Sequence, residues 1–373
     1  MAKQGYKRLG DYIRLVDVRN KDLSVTTLLG VSISKTFIPS IANVIGTDMS
    51  TYKIVEPYQF AYGPVTSRNG DKITFALYKG ESKCIISSAY VTFEIIDKEK
   101  LDPNYLMMWA QRPEFDRYAR FMSNGSAREV FSWEDMCDVY LPVPDIKEQR
   151  SIVASYQAVE KRILSNESLV AKLEEAAQSV YKKMFVEGIE IENLPANWTL
   201  MPIDDVLSCK YGKGLSTEFI STSGKYPVYG AKGVIGYYSQ KTVDDYVTLI
   251  ASRGSGSGVV DRTHHKEAYI TNNSFIVSAQ KAYSYMTLPY IYCSCKNIDF
   301  VAICTGSAQP QLTNDSISIL KIIVPEKDLV TDFCAKVQPL FDQIELLIQE
   351  NNYCHSIQDL LLSRMSYIMA HRT

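Results

Sequence analysis

The sequence is poor in the residues that most catalytic chemistry requires. Its 373 residues include four histidines, and no paired acid or nucleophile constellation emerges from its motifs, so catalysis is not expected. Eight cysteines stand at positions 84, 137, 209, 293, 295, 304, 334 and 354, and none belongs to a CxxC pair. Scattered through apolar stretches, they read as reduced core residues rather than disulfides or zinc ligands. No apolar run approaches the roughly eighteen residues of a membrane span, and Met1-Ala2-Lys3-Gln4-Gly5-Tyr6 lacks the apolar core of a signal peptide. A cytoplasmic protein without a membrane partner is expected. A surplus of one charge is also lacking: the net charge of −2 argues against unspecific binding of polyanions.

What is present suffices for two or three globular domains, with 46% apolar residues and 11% aromatics. Residues 1–145 carry 18 basic and 18 acidic side chains and residues 191–325 carry 11 and 10, whereas residues 326–373 carry 4 and 7. Any nucleic-acid contact must therefore come from basic side chains focused on one face.

One segment occurs twice. Gly125-Ser126-Ala127 leads through Val139-Tyr140-Leu141-Pro142-Val143-Pro144 into a long helical stretch, and Gly306-Ser307-Ala308 leads through Leu320-Lys321-Ile322-Ile323-Val324-Pro325 into another. The offset is constant at 181 (306 minus 125), a period that means duplicated domains rather than a solenoid of short repeats. The first helix is expected to start at Asp145, whose spacing to Glu148 resembles a capping box, and to end at Gly188. Its seam is Ile152, Tyr156, Val159, Ile163, Asn166, Val170, Leu173, Ala177, Val180 and Met184, at heptad spacing. The second reads Phe333, Val337, Leu340, Ile344, Leu347, Asn351, Cys354, Gln358, Leu361 and Met365, with Pro339 expected to kink the helix or mark its start. The two helices should pack antiparallel, with Asn166 meeting Asn351 to set the register.

Between turn signals, Ile54-Val55, residues 59–62, 73–78 and 90–96 read as strands, followed by a helical patch over 104–121. The second half mirrors this: Ile203-Asp204-Asp205-Val206-Leu207 answers Leu9-Gly10-Asp11-Tyr12-Ile13, and the stretch from Tyr269 answers the strand at Tyr90. The expected architecture is α+β: β-rich domains over 1–145 and 189–325, each followed by a spacer helix (146–188 and 326–373), with a pseudo-two-fold internal repeat.

Enzyme motifs fail on inspection. Gly230, Gly233 and Gly236 run into Tyr237-Tyr238 rather than a helix, so they do not form a dinucleotide loop. Gly254-Ser255-Gly256-Ser257-Gly258 has no trailing Lys-Ser/Thr, and Cys293, Cys295 and Cys304 with His264 and His265 fit no standard metal spacing. What remains are basic, glycine-rich loops interleaved with tyrosine. Candidates for DNA contact are Arg68, Asn69 and Lys72; Ser126 and Arg128; Lys210, Tyr211, Lys213, Tyr229 and Lys232; Arg253, Ser255, Ser257 and Arg262; and Gln309 and Gln311. Arg and Lys reach phosphates and guanine edges, Asn and Gln pair with adenine, and glycine lets backbone N–H groups approach phosphate.

The domain openings Tyr6-Lys7-Arg8-Leu9-Gly10-Asp11-Tyr12-Ile13 and Leu194-Pro195-Ala196-Asn197-Trp198, the helix start Pro142-Val143-Pro144-Asp145-Ile146-Lys147-Glu148-Gln149-Arg150 and the loop Ala251-Ser252-Arg253-Gly254-Ser255 carry a resemblance. Over nearly its whole length the chain resembles the specificity subunit of a type I restriction-modification system, although Val324-Pro325-Glu326-Lys327 lacks the Glu-Gln of the family's helix start. The resemblance implies two target-recognition domains, each reading half of a split double-stranded DNA sequence, with the helices as a ruler. It implies no cofactor in this chain. S-adenosylmethionine is expected in two partner methyltransferase subunits docked against the helices, and a motor-nuclease restriction subunit would join for cleavage. Two other readings are an adenine methyltransferase acting alone, against which Thr287-Leu288-Pro289-Tyr290 lacks the Asn-Pro-Pro-Tyr loop, and a coiled-coil scaffold binding carbohydrate or peptide.

Overall fold

The computed structural model describes residues 5–40, 46–67, 70–124, 129–306 and 309–366. They form two compact units, one of Met1–Ile163 with Asn352–Thr373 and one of Leu164–Asn351. The first contains β1 (Tyr6–Arg8), β2 (Ile13–Leu15), β3 (Leu29–Val31), β4 (Phe37–Pro39), β5 (Lys53–Val55), β6 (Phe60–Tyr62), β7 (Phe75–Leu77), β8 (Cys84–Ile86) and β9 (Val91–Ile95). It continues with α1 (Pro103–Gln111), α2 (Pro113–Met122), α3 (Trp133–Cys137), β10 (Tyr140–Pro142) and the start of α4 (Ile146–Phe185). The second unit holds the rest of α4, then β11 (Thr199–Pro202), α5 (Ile203–Val206), β12 (Leu207–Tyr211), β13 (Tyr226–Gly230), β14 (Gly233–Tyr238), β15 (Thr248–Ala251) and β16 (Val260–Arg262). It ends with β17 (Tyr269–Ile270), β18 (Ser274–Ala279), α6 (Leu288–Lys296), α7 (Asn314–Ser318), β19 (Lys321–Val324) and most of α8 (Lys327–Arg364).

The duplication is visible in the topology of each unit. The first has an antiparallel sheet in the order β2-β9-β6-β7, the second one in the order β12-β18-β15-β16. In both, the strand that opens the domain pairs with the strand that leaves it: β1 with β10, and β11 with β19. The same backbone bond follows each time, Leu9 N–H to Val139 O at 2.8 Å and Ile203 N–H to Leu320 O at 3.0 Å. Caps repeat as well. Ser132 accepts from Asp135 N at α3 and Thr313 from Ser316 N at α7, satisfying a donor that the first helical turn leaves free. The additions differ: small sheets β3-β4 and β5-β8 in the first unit, and β14-β13-β17, with a parallel β13-β17 pair, in the second.

Cores form where apolar faces of these strands meet the helices. Phe60, Phe75 and Phe93, from three neighbouring strands, are fully buried, with the Phe60 and Phe93 rings stacked at 4.9 Å. Each such burial stabilises by roughly 1.5–3 kcal/mol. The expected helix over 104–121 is two helices. Pro113 disfavours helical backbone at Arg112, which sits at φ −70, ψ 140, and so α1 stops and α2 begins.

Asp145 caps α4 through Lys147 N and Glu148 N, both at 3.1 Å. Gln149, fully buried, accepts from Asp102 N and donates to the carbonyls of Lys100 and Pro144. It thereby joins the helix start to the α1 cap. The position displaced by 181 (330 minus 149) holds Val330, also fully buried, so the second helix start uses apolar packing where the first uses hydrogen bonds.

The helices α4 and α8 pack together. In the second unit Tyr181 lies 5.7 Å from Phe333, and Asn166 donates to Asn351 Oδ1 at 2.9 Å and to Glu350 at 3.0 Å, so numbering rises on one helix as it falls on the other. In the first unit Ile152, Val153 and Tyr156 share a core with Leu362 and Met365. The helix α8 runs from Lys327 through Pro339, which therefore does not mark its start, although the absent N–H leaves the Ala335 carbonyl without its helical donor. Removing the Asn166 amide takes the donor from Asn351 Oδ1 at the helix seam. Asn166→Ala should cost about 1–3 kcal/mol, read as a lower denaturation midpoint at unchanged slope, and Asn166→Leu with Asn351→Leu should recover most of it.

Candidate nucleic-acid interface

In each unit the loop leaving the third sheet strand (β6 or β15) meets a small hairpin. In the first, Phe131 N–H bonds Pro64 O at 2.8 Å and Thr66 N–H bonds Glu129 O at 3.0 Å. In the second, Leu312 N–H bonds Ser252 O at 2.9 Å and Gly254 N–H bonds Pro310 O at 3.2 Å. The hairpin positions differ by 181 in both bonds (312 minus 131, 310 minus 129), so the repeat reaches these loops.

The glycines of the second loop have separate reasons. Gly254 and Gly258 adopt φ of +82 and +85, and a Cβ on Gly258 would lie 2.7 Å from Val301 N. A Cβ on Gly256 would sit 3.4 Å from Cε of Lys232, whose chain lies along the loop. The backbone is thus held close and open while Arg253, Ser255 and Lys232 project as exposed side chains.

The expected contact residues divide into three groups. Arg68, Asn69, Ser126 and Arg128 lie outside the described residues. Lys72, Lys210, Tyr211, Lys213, Lys232, Arg253, Ser255, Gln309 and Gln311 are exposed. Tyr211 stacks on Phe275 at 4.1 Å and donates to Leu312 O, while Lys72 rims a cavity of about 310 Å³ with Lys35 and Asp116, an ion pair at 2.9 Å. Burial lowers the Lys35 ammonium pKa, against the opposing pull of Asp116. The third group is interior. Ser257 donates to Ser252 O at 3.1 Å, Tyr229 spends its hydroxyl on His264 N and His265 Nδ1, both at 2.9 Å, and Arg262 is fully buried. These three were expected to face DNA and have no surface with which to do so.

Arg262 is instead an internal cation. Its guanidinium pairs with Glu345 of α8, lies 4.0 Å from Glu174 of α4, and sits over the Phe341 ring at 4.7 Å. It ties the edge strand β16 to both helices within the second unit. His264 Nδ1 is 3.3 Å from the same Glu345 oxygen. Burial would raise the Glu345 pKa, but the His264 hydrogen bond and the Arg262 charge outweigh it and hold the carboxyl below its ordinary range. Burial, then the neighbouring His264, lowers the His265 pKa. Separations of 83 and 81 residues put these partnerships beyond any local pattern. Cys293 and Cys295 lie on α6 inside the core, burial pushing the Cys293 thiol up to about 12. Among the described residues no cluster of three or more His, Cys, Asp and Glu side chains is placed to hold a metal ion, and no helix is long and apolar enough to cross a membrane.

Residues 195–352 match the model of a family described as the type I restriction modification DNA specificity domain. The crystal structure of a type I restriction-modification system S subunit from M. genitalium is similar over 96% of this chain and 95% of that one, at 16% identity and a TM-score of 0.56, a shared fold. Two further structures align over nearly full lengths with lower similarity. One is a chain from work on complex assembly and conformational transition of the type I R-M system, at 14% identity, 98% of each chain and a TM-score of 0.47. The other is the HsdS subunit from Thermoanaerobacter tengcongensis, at 15% identity, 97% and 96%, and a TM-score of 0.38. No curated protein sequence matches the chain. The exposed basic loops of the second unit, with Lys210, Lys213, Lys232 and Arg253, lie within the matched residues. Residues 195–352 therefore carry a type I restriction modification DNA specificity domain, and the chain as a whole shares the fold of an S subunit.

Truncating the interior cation leaves the buried Glu345 carboxylate with His264 in place of its Arg262 ion pair, so Arg262→Ala should destabilise the second unit by roughly 3–5 kcal/mol, seen in denaturant titration. The folded state also favours the deprotonated forms of His265 and Glu345 more than the unfolded chain does. Thermal melts should therefore show full stability above about pH 6.5, a first loss as pH falls through the His265 range and a second below about pH 4.5 as Glu345 takes up a proton.

Proposed function

We propose that the chain reads a bipartite DNA target, one half through each loop-and-hairpin surface, and directs methyltransferase and restriction subunits to it. The observation that carries this is the repetition, in one chain, of a four-stranded sheet with the same strand order and the same loop-to-hairpin bonds. Two like surfaces with unlike side chains suit two different half-sites. Base contacts specify while phosphate contacts position, and the exposed Lys210, Lys213, Lys232 and Arg253 in the second unit supply both kinds.

In this reading the chain performs no covalent step. Two methyltransferase subunits would bring S-adenosylmethionine and extrude the adenine to be methylated, and a motor-nuclease subunit would cut. An adenine methyltransferase acting alone would need to bind S-adenosylmethionine without partners, which labelled-cofactor binding to the purified chain would detect.

Exchanging residues 1–145 for those of another specificity subunit, in cells that also express the methyltransferase, should change one half of the methylated motif and leave the other intact. A motif unchanged in both halves would sink the proposal.

A further inference from the structure

The loop and hairpin of each unit place three residues in a row. In the second unit Arg253 is bridged to Gln311, and Gln311 to Thr305; in the first, Val65 is bridged to Val130, and Val130 to Asn124. The hairpin partners again differ by 181 (311 minus 130, 305 minus 124). Residues directly opposed in antiparallel pairing project on the same face with Cβ atoms about 4.5–5.5 Å apart. Each row is therefore one patch of three neighbouring side chains. Arg253, Gln311 and Thr305 are all exposed, and Val130 is 37% exposed. Among the described residues the Arg253 side chain has no ion pair or hydrogen bond, unlike the buried Arg262 nine residues on (262 minus 253).

We propose that this row is the base-reading element of each unit, and that the two rows read different chemistry. The inference rests on the proposed function. Arg253 presents a donor fork matched to O6 and N7 of guanine, and Gln311 beside it presents the amide that pairs with N6 and N7 of adenine. The second half-site thus contains a purine step. The side chains of Val65 and Val130 carry neither donor nor acceptor and match the C5-methyl of thymine, with Asn124 at the end of the row able to reach adenine. The first half-site thus contains a thymine read by its methyl group. Equivalent bridges thus carry opposed side-chain chemistry, as expected of a position where specificity diverges after duplication.

The test uses the full chain in complex with its methyltransferase. The motif methylated by the native complex is determined first, and exchange of residues 1–145 assigns each half to a unit. Arg253→Ala and Gln311→Ala should each relax one base position, at the same or adjacent base pairs of the second half-site, by roughly 5- to 150-fold, the span of one bidentate contact, with an unchanged melting temperature. Replacing the thymine of the first half-site by uracil, which removes only the methyl group, should weaken binding about fourfold, and Val130→Ala should abolish that difference. The row is overturned if both second-unit variants still methylate the unaltered motif with full discrimination, or if the first half-site has no thymine whose methyl matters. A native complex that methylates no bipartite sequence would overturn the proposed function itself, and the row with it, a result distinguishable because it appears before any variant is made.

Discussion

Each unit is closed by backbone pairing between the strand that opens it and the strand that leaves it, and the placement of the following helix depends on that closure. Three or four residues at the opening strand pair with as many at the exit strand, more than a hundred positions later in the chain. The closure places the following helix at a set point on the domain surface. Asp145 and Gln149 then complete it in the first copy, and Val330 in the second. With the ends held in this way, the conformational cost of the intervening loops grows only slowly with their length.

The two arginines of the second unit show how the tertiary environment divides identical chemistry. Arg253 stands on a loop held open by left-handed glycines and stays exposed, whereas Arg262 sits on an edge strand that two helices cover. Desolvation of that guanidinium is offset by Glu345, by the Phe341 face and by proximity to Glu174.

Much of this was legible before folding was considered. The constant offset exposed the duplication, heptad spacing located both helices, and the two seam asparagines do form a hydrogen bond. Short strands in 59–62 and 73–78 were found from their β-branched and aromatic content, although the helical patch after Asn104 had to be divided because one proline outweighed its periodicity. The candidate contact residues were harder. Tyr229, Ser257 and Arg262 look like loop residues in sequence and are interior in fact, since burial depends on what lies above a strand, which its own residues do not record.

What the sequence determined by itself was the architecture: two copies, their helices and the residue types available at their loops, because periodicity and repetition are local or constant-offset properties. Only the tertiary structure decided which cation faces outward and which residues share a row. Val65 with Val130 and Arg253 with Gln311 are dozens of positions apart, and their adjacency comes from backbone hydrogen bonds between a loop and a hairpin that carry no side-chain signature. A backbone bond forms whatever the side chain, and so it leaves those side chains free to differ.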